Sequence, residues 1–212
     1  MEKTKRIYLW ITAICLTFST NLLPAGNIRV AVASNFSDTI KEISKRFETD
    51  TNHKVTLVFG STGKHYAQIK NGAPFEVFFA ADKNRAQRLE KEGVSLPGSR
   101  FTYAIGKLAL WSPKTEFVNE GGKVLDGNSF RYLALANPKL APYGKAAEQV
   151  LQRRELWNSL RERMVRGENI GQTFQFIKSG NAELGFVAYS QIKKPDKPIE
   201  GSYWLIPPSL YD

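Results

Sequence analysis

Cysteine and histidine are nearly missing from this chain: 212 residues hold one cysteine, Cys15, and two histidines, His53 and His65. A disulfide scaffold needs paired cysteines, and a metal site needs clustered ligands at set spacings, so the sequence offers neither. A hydrolase triad is equally ill served, because neither histidine lies near a nucleophile-elbow pattern. His53, beside Asn52 in a polar turn, reads as a surface residue, and His65, just inside a helix, as a solvated one. Internal repeats and low-complexity segments are also lacking. No compositional sign of disorder appears, since 42% of the residues are apolar and 24% charged.

The mostly apolar run Ile7 to Phe18 is too short for a bilayer core that needs about 20 residues. Preceded by Lys3, Lys5 and Arg6 and followed by Pro24-Ala25-Gly26, it reads as a secretory signal peptide over residues 1–25, removed after export to the periplasm. Cys15 lies inside the run behind Ile14, where a lipoprotein site wants a small residue, which argues against a lipid anchor. Removal of the leader leaves a chain without cysteine.

Acidic residues are outnumbered. Thirty Lys and Arg face 20 Asp and Glu, and without residues 1–25 the balance is 27 against 19, a net charge of +8. Such an excess suits nucleic acid, an anionic surface or an anionic small ligand. The charges are scattered along helices such as Lys41 to Arg46 and Arg153 to Arg166, with no basic-aromatic block, so they read as solvated faces and not as a nucleic-acid interface.

Short apolar runs then alternate with segments of helical period. The runs are Ile28–Ala33, Val55–Phe59, Val77–Ala81, Tyr103–Trp111, Phe130–Ala136 and Leu184–Ala188. This alternation predicts an α/β fold with largely parallel sheets. Phe36, Ile40, Ile43 and Phe47 share one face of a first helix, and Leu156, Leu160 and Met164 one face of a later helix; both stripes read as core. The long Tyr103–Trp111 run, interrupted by Gly106, suits a strand that leaves one lobe and enters another. Return of the chain near 190–200 would give a hinged molecule with one lobe of residues 26–104 and 194–212 and another of 105–193.

Four places put a strand end or a loop onto the start of a helix, where free N–H groups and the positive end of the dipole await an anion. They are Ala33-Ser34-Asn35-Phe36, Gly60-Ser61-Thr62-Gly63, Ala141-Pro142-Tyr143-Gly144 and Glu168-Asn169-Ile170-Gly171-Gln172. Proline presets the third, and Asn169 with Gln172 reads as a capping box at the fourth. Taken singly, each is explained by capping alone.

Together they resemble something more specific. Ala33-Ser34-Asn35-Phe36, Phe59 to Lys64, the Asn71 to Asp82 segment, Asn137-Pro138 with Ala141-Pro142-Tyr143-Gly144, and Leu184-Gly185-Phe186-Val187 come in the order and spacing of the periplasmic molybdate-binding proteins of ABC importers. The resemblance covers nearly all of the chain after the leader. It implies a two-lobed, hinged type II periplasmic binding protein fold, continued in family members by a strand and a helix beyond the position of Leu210-Tyr211-Asp212. It also implies a monomer that takes molybdate or tungstate to a membrane permease, without cofactor or turnover. The anion would be held by Ser34 and Asn35, by Ser61 and Thr62, and by the backbone N–H groups of Tyr143 and Ile170, with no direct bond from protein to metal.

Two positions depart from the family pattern. Thr62 stands where many members have serine, which adds a methyl group to a tight pocket. Ala188 stands where some members have a ligand-binding tyrosine; Tyr189 comes one place later, and side chains alternate along a strand, so Tyr189 is left out of the site.

A fully deprotonated oxyanion offers only acceptors and suits a site of N–H and O–H donors, whereas protonated phosphate also wants a carboxylate. None stands among the candidate contacts. Sulfate, with the same shape and charge as molybdate, remains an alternative. A nucleotide-binding enzyme is the rival of another class, because Gly60-Ser61-Thr62-Gly63-Lys64 looks like the end of a P-loop. That motif needs glycine where Val58 stands and Ser or Thr where His65 stands.

Overall fold

The protein is described here by a computed structural model over residues 26–212. The expected signal peptide and Cys15 lie outside the described residues.

The first lobe is a three-stranded parallel sheet. Strand β1 (Asn27–Ala33) runs between β2 (Lys54–Gly60) and β3 (Val77–Phe79). Helices α1 (Ser37–Thr51), α2 (Thr62–Lys70) and α3 (Lys83–Lys91) follow the three strands in turn. The core of this lobe is thin: Val30, Val32 and Ile40 are its buried centre, flanked by Phe36, Leu57 and Phe79. The apolar stripe of α1 is accordingly only half covered, with Ile40 buried but Ile43 50% exposed.

The second lobe carries most of the apolar core. Its five-stranded sheet has the order β6 (Met164–Gly167), β5 (Leu133–Ala136), β7 (Leu184–Ala188), β4 (Leu108–Ser112), β8 (Ser202–Leu205). Strands β6, β5 and β7 are parallel, and β4 runs antiparallel to both β7 and β8. Every residue of β4, β5 and β7 is buried, which is why these strands read as unbroken apolar runs. Helices α4 (Pro142–Arg153), α5 (Ile170–Lys178) and the short α6 (Tyr189–Ile192) complete the lobe.

Three expectations need correction. The crossover is not one long strand: residues 101–107 are irregular and β4 begins only at Leu108. Leu156, Leu160 and Met164 do not share a helix, because α4 ends at Arg153, Glu155 takes a φ of 60°, and Met164 opens β6. Leu160 is nevertheless buried, and Leu156 and Met164 pack against the same core.

Residues 194–212 do not return to the first lobe as a body. The segment feeds β8, which pairs with β4, and Ile206 N–H then donates to Leu108 O. Trp204 faces inward against Gly122 and lies under the Arg154 guanidinium at 5.5 Å. Ile206, Leu210 and Tyr211 join the core of the second lobe. Burial of this apolar surface, together with the ladder to β4, holds the segment there.

Candidate functional site

Each parallel strand of the first lobe delivers the chain to the edge of a cleft, and the second lobe brings two helix starts to the opposite side. All six residues singled out in the sequence, Ser34, Asn35, Ser61, Thr62, Tyr143 and Ile170, line one small pocket between the lobes. Ala33, Gly60, Ala81, Ala141, Pro142 and Asn169 complete its wall. The lining includes no Asp, Glu, Lys or Arg. Five of the six are buried, Thr62 wholly, and Asn35 is partly so.

The helix starts leave donors facing this space. At α2, Ser61 is the N-cap and its Oγ accepts from Lys64 N–H at 3.4 Å, which leaves its own proton available. Thr62 Oγ1 accepts from Ala81 N–H at 3.0 Å and is likewise free to donate. The added methyl is thus accommodated in a residue with no exposed surface.

At α4, Ala141 is the N-cap and supplies no side-chain partner; Pro142 is the first helical residue and Tyr143 the second. At α5, Asn169 Oδ1 caps Gln172 N–H at 3.0 Å, while Gln172 Oε1 accepts from Glu168 N–H, one residue before the cap expected from the sequence. Gly63, Lys64, Gly171 and Gln172 find partners for their N–H groups. The Thr62, Tyr143 and Ile170 N–H groups, in the first two positions of their helices, have no intrahelical acceptor to reach.

Asn35 carries an unsettled polar atom. Its Oδ1 is buried without a partner, a costly state for an amide. The Tyr143 hydroxyl lies beside the Asn35 amide. Exchanging the amide oxygen and nitrogen, which is a matter of assignment, gives the oxygen the Tyr143 hydroxyl as donor and turns N–H into the unpartnered position. Burial pushes the Tyr143 hydroxyl far above its ordinary pKa and that of Tyr103 up to about 12, so both stay protonated donors. Gly106, in the crossover, leaves room for Tyr143: a Cβ there would fall 2.1 Å from the hydroxyl.

The lobes are closed on each other, by contacts no local pattern could announce. Ser34 Oγ donates to Asn169 Oδ1 at 2.9 Å and accepts from Gly171 N–H at 3.2 Å. Gly63 N–H donates to Leu140 O at 2.8 Å, and Ser190 Oγ to Asn35 O at 2.9 Å. Two ion pairs flank the pocket, Lys64 with Glu168 at 2.8 Å and Lys194 with Asp38. The hydrogen bond and charge of Lys194 hold the Asp38 carboxyl below its ordinary pKa against the opposing effect of its burial. Lys64, the residue that suggested a P-loop, is thus engaged with Glu168 on the opposite lobe.

His65 contradicts its expected exposure. It is 1% exposed, wedged under the pocket between Val32 O, Gln68, Phe75 and Phe78. Tyr189, left out of the site, opens α6 and packs at a tilt against Tyr203 instead of lining the pocket. Among the described residues no cluster of three or more His, Cys, Asp or Glu could hold a metal ion, and no helix is long and apolar enough to cross a membrane.

The chain matches the family described as bacterial extracellular solute-binding protein over residues 28–212. It is 53% identical over 188 residues to the molybdate-binding protein ModA of Azotobacter vinelandii, covering 89% of this chain and 75% of that protein. It is 44% identical over 201 residues to ModA of Rhodobacter capsulatus, covering 94% and 78%. Among solved structures, the periplasmic molybdate-binding protein of Azotobacter vinelandii superposes with a TM-score of 0.84 at 46% identity, covering 87% of this chain and 81% of that one.

Proposed function

Since the chain belongs to the bacterial extracellular solute-binding proteins, we propose that it captures molybdate or tungstate between its lobes and delivers the anion to the permease of an ABC importer. One observation supports this reading above the others. Four chain segments, each ending on a helix start, converge on one small pocket that is lined by O–H and N–H donors and by no carboxylate. A dianion with four acceptor oxygens satisfies such donors, and each bond to it is charge-assisted. The resemblance to named molybdate-binding proteins selects the anion among those of this shape.

Asn35, Ser61 and Thr62 donate from the first lobe, joined by Ser34 when its one hydroxyl proton turns from Asn169 Oδ1 to the anion, and the N–H groups of Tyr143 and Ile170 donate from the second. The anion is held as a whole through its oxygens, without protein ligands on the metal and without a cofactor. The irregular 101–107 segment is the hinge. The role is binding and delivery without turnover, in keeping with the solute-binding proteins that the chain resembles. Leader removal and export place the protein, as a monomer, in the periplasm.

Calorimetry with molybdate, tungstate, sulfate and phosphate is the direct test, with ATP as the control for the P-loop alternative. Submicromolar binding of molybdate with no heat from ATP is the expected result; binding of ATP or phosphate alone would sink the reading. Ser34→Ala removes the hydroxyl that donates to Asn169 Oδ1 and, once the anion is bound, to the anion instead, and with it the bond accepted from Gly171 N–H. It is expected to cost roughly 1.5–3 kcal/mol, a tenfold to hundredfold loss of affinity. Unchanged binding by this variant would place the anion elsewhere.

A further inference from the structure

We propose that His65 is a positioning residue that couples anion capture to proton uptake, so that the protein binds its dianion more tightly as the medium becomes acidic. The inference rests on the oxyanion-binding reading above and adds to it a residue outside the pocket wall.

The geometry is specific. His65 stands on the first turn of α2, three residues after Thr62, and its ring lies beneath the turn that carries Ser61 and Thr62. A Cβ placed on Gly60 would fall 2.8 Å from His65 Nε2, so the ring is in contact with the pocket-lining backbone. Nε2 is 3.2 Å from Val32 O, at the end of β1 that leads into Ser34. A carbonyl oxygen can only accept, so Nε2 carries a proton in either state of the ring. The ring thereby ties the ends of β1 and β2 to α2, the three elements that present Ser34, Ser61 and Thr62.

The other nitrogen is where the two states differ. Nδ1 is 3.2 Å from Gln68 Oε1. With a protonated ring, Nδ1–H donates to that oxygen. With a neutral ring, rotation of the Gln68 amide turns its N–H₂ to Nδ1, and the bond is kept with the opposite polarity. Both protonation states are therefore satisfied without movement of the backbone, which a purely structural histidine does not require.

The surroundings leave the balance to the anion. Burial is the main influence lowering the His65 pKa, opposed by the two hydrogen bonds. Lys64 and Glu168 act on the ring with opposite signs and are paired with each other. Asp82 and Arg85 on α3 are likewise paired at 2.7 Å. Arg29 lies over the Phe75 ring at 5.8 Å, with the Glu76 carboxylate accepting from its backbone N–H. No unpaired carboxylate rewards the imidazolium in the empty protein. A dianion in the pocket does, and by linkage the protonated ring then rewards the dianion equally.

The test reads both histidines by nitrogen-resolved NMR, with and without molybdate, across about pH 5 to 8. His53 is the internal control: it sits at the opposite end of β2, accepting from Gly26 N–H at 2.9 Å. Molybdate is expected to raise the His65 titration midpoint by about one pH unit and leave His53 unmoved, with affinity about tenfold higher at the acid end of the range. His65→Gln keeps a donor for Val32 O but takes no proton, and its affinity should be flat with pH near the wild-type alkaline value. Molybdate binding with an unmoved His65 and a flat wild-type profile would overturn the proposal while leaving the binding function intact. Failure of molybdate, tungstate and sulfate to bind at any pH would overturn the binding function itself. The wild-type NMR arm decides the matter even if the glutamine variant fails to fold.

Discussion

Asn35→Asp is expected to lower molybdate affinity by about a thousandfold near neutral pH while leaving a folded protein. The substitution keeps the shape of the side chain and exchanges an amide for a carboxylate in a pocket whose wall carries no other charge. Against a dianion, a like charge at contact costs several kcal/mol, and about 4 kcal/mol corresponds to a factor of about a thousand. The direction with pH is fixed by the same physics. Burial and the bound anion both favour the neutral carboxylic acid, so the inserted group titrates above the ordinary aspartate range. Below that midpoint the acid is a donor, and part of the affinity should return.

The fold itself should tolerate the change, since Asn35 is partly exposed and the Tyr143 hydroxyl beside it can donate to a carboxylate oxygen. Calorimetry at neutral and mildly acidic pH, with circular dichroism to verify folding, checks the expectation. Equal affinity of the variant and the parent at neutral pH would show that Asn35 does not face the ligand. Gained affinity for phosphate would support the same electrostatic account from the other side, because a protonated phosphate supplies the donor that the new carboxylate wants.

How much of this molecule could be read from its residues depended on where each element lies. Strands β1, β5 and β7 are central, so their apolar runs mark them without ambiguity. The edge strands of the second sheet gave little signal: β6 is only four residues long and includes the exposed Arg166, and β8 alternates between covered and exposed residues over Ser202 to Leu205. A four-residue alternation between a glycine and two prolines is as compatible with a loop as with a strand. The apparent stripe Leu156, Leu160, Met164 has helical spacing by coincidence. All three reach one core from a turn, a second turn and a strand, because burial constrains where a side chain ends, not the path of the backbone.

The pocket was legible for a different reason. Its donors sit at helix starts, and helix starts have sequence signatures such as Ser61 before Thr62-Gly63, or Asn169 three residues before Gln172. The contacts that cross the cleft have no such signature. Ser34 and Asn169 are 135 residues apart, and Lys64 and Glu168 meet only because the lobes close. The burial of His65, expected to be solvated, is hidden for the same reason. Its burial is decided by Val32, 33 residues earlier, and by Phe75 and Phe78, none of which a helical wheel of α2 contains.

Ile170→Pro should weaken molybdate binding tenfold to a hundredfold relative to Ile170→Val, with both variants folded. The comparison isolates one backbone N–H. Ile170 is the first residue of α5, behind the Asn169 cap, and proline is tolerated there because the N–H it lacks has no intrahelical acceptor. The same substitution at Tyr143 would be a poorer test, because Tyr143 is the second residue of α4 and proline there would follow Pro142, which disfavours the helical conformation of the preceding residue.

Ile170 is also 3% exposed in the core of the second lobe, so proline removes packing as well as a donor. The valine variant, expected to cost about 0.5–1.5 kcal/mol of stability, reports the packing part alone. The remaining difference in affinity, roughly 1.5–3 kcal/mol, is that of a hydrogen bond to a charged acceptor. Thermal unfolding of both variants without ligand separates stability from affinity, and calorimetry supplies the latter. Equal affinities for two folded variants would remove the start of α5 from the anion site and leave closure of the lobes to direct contacts such as those of Ser34, Gly63 and Ser190 and the ion pairs.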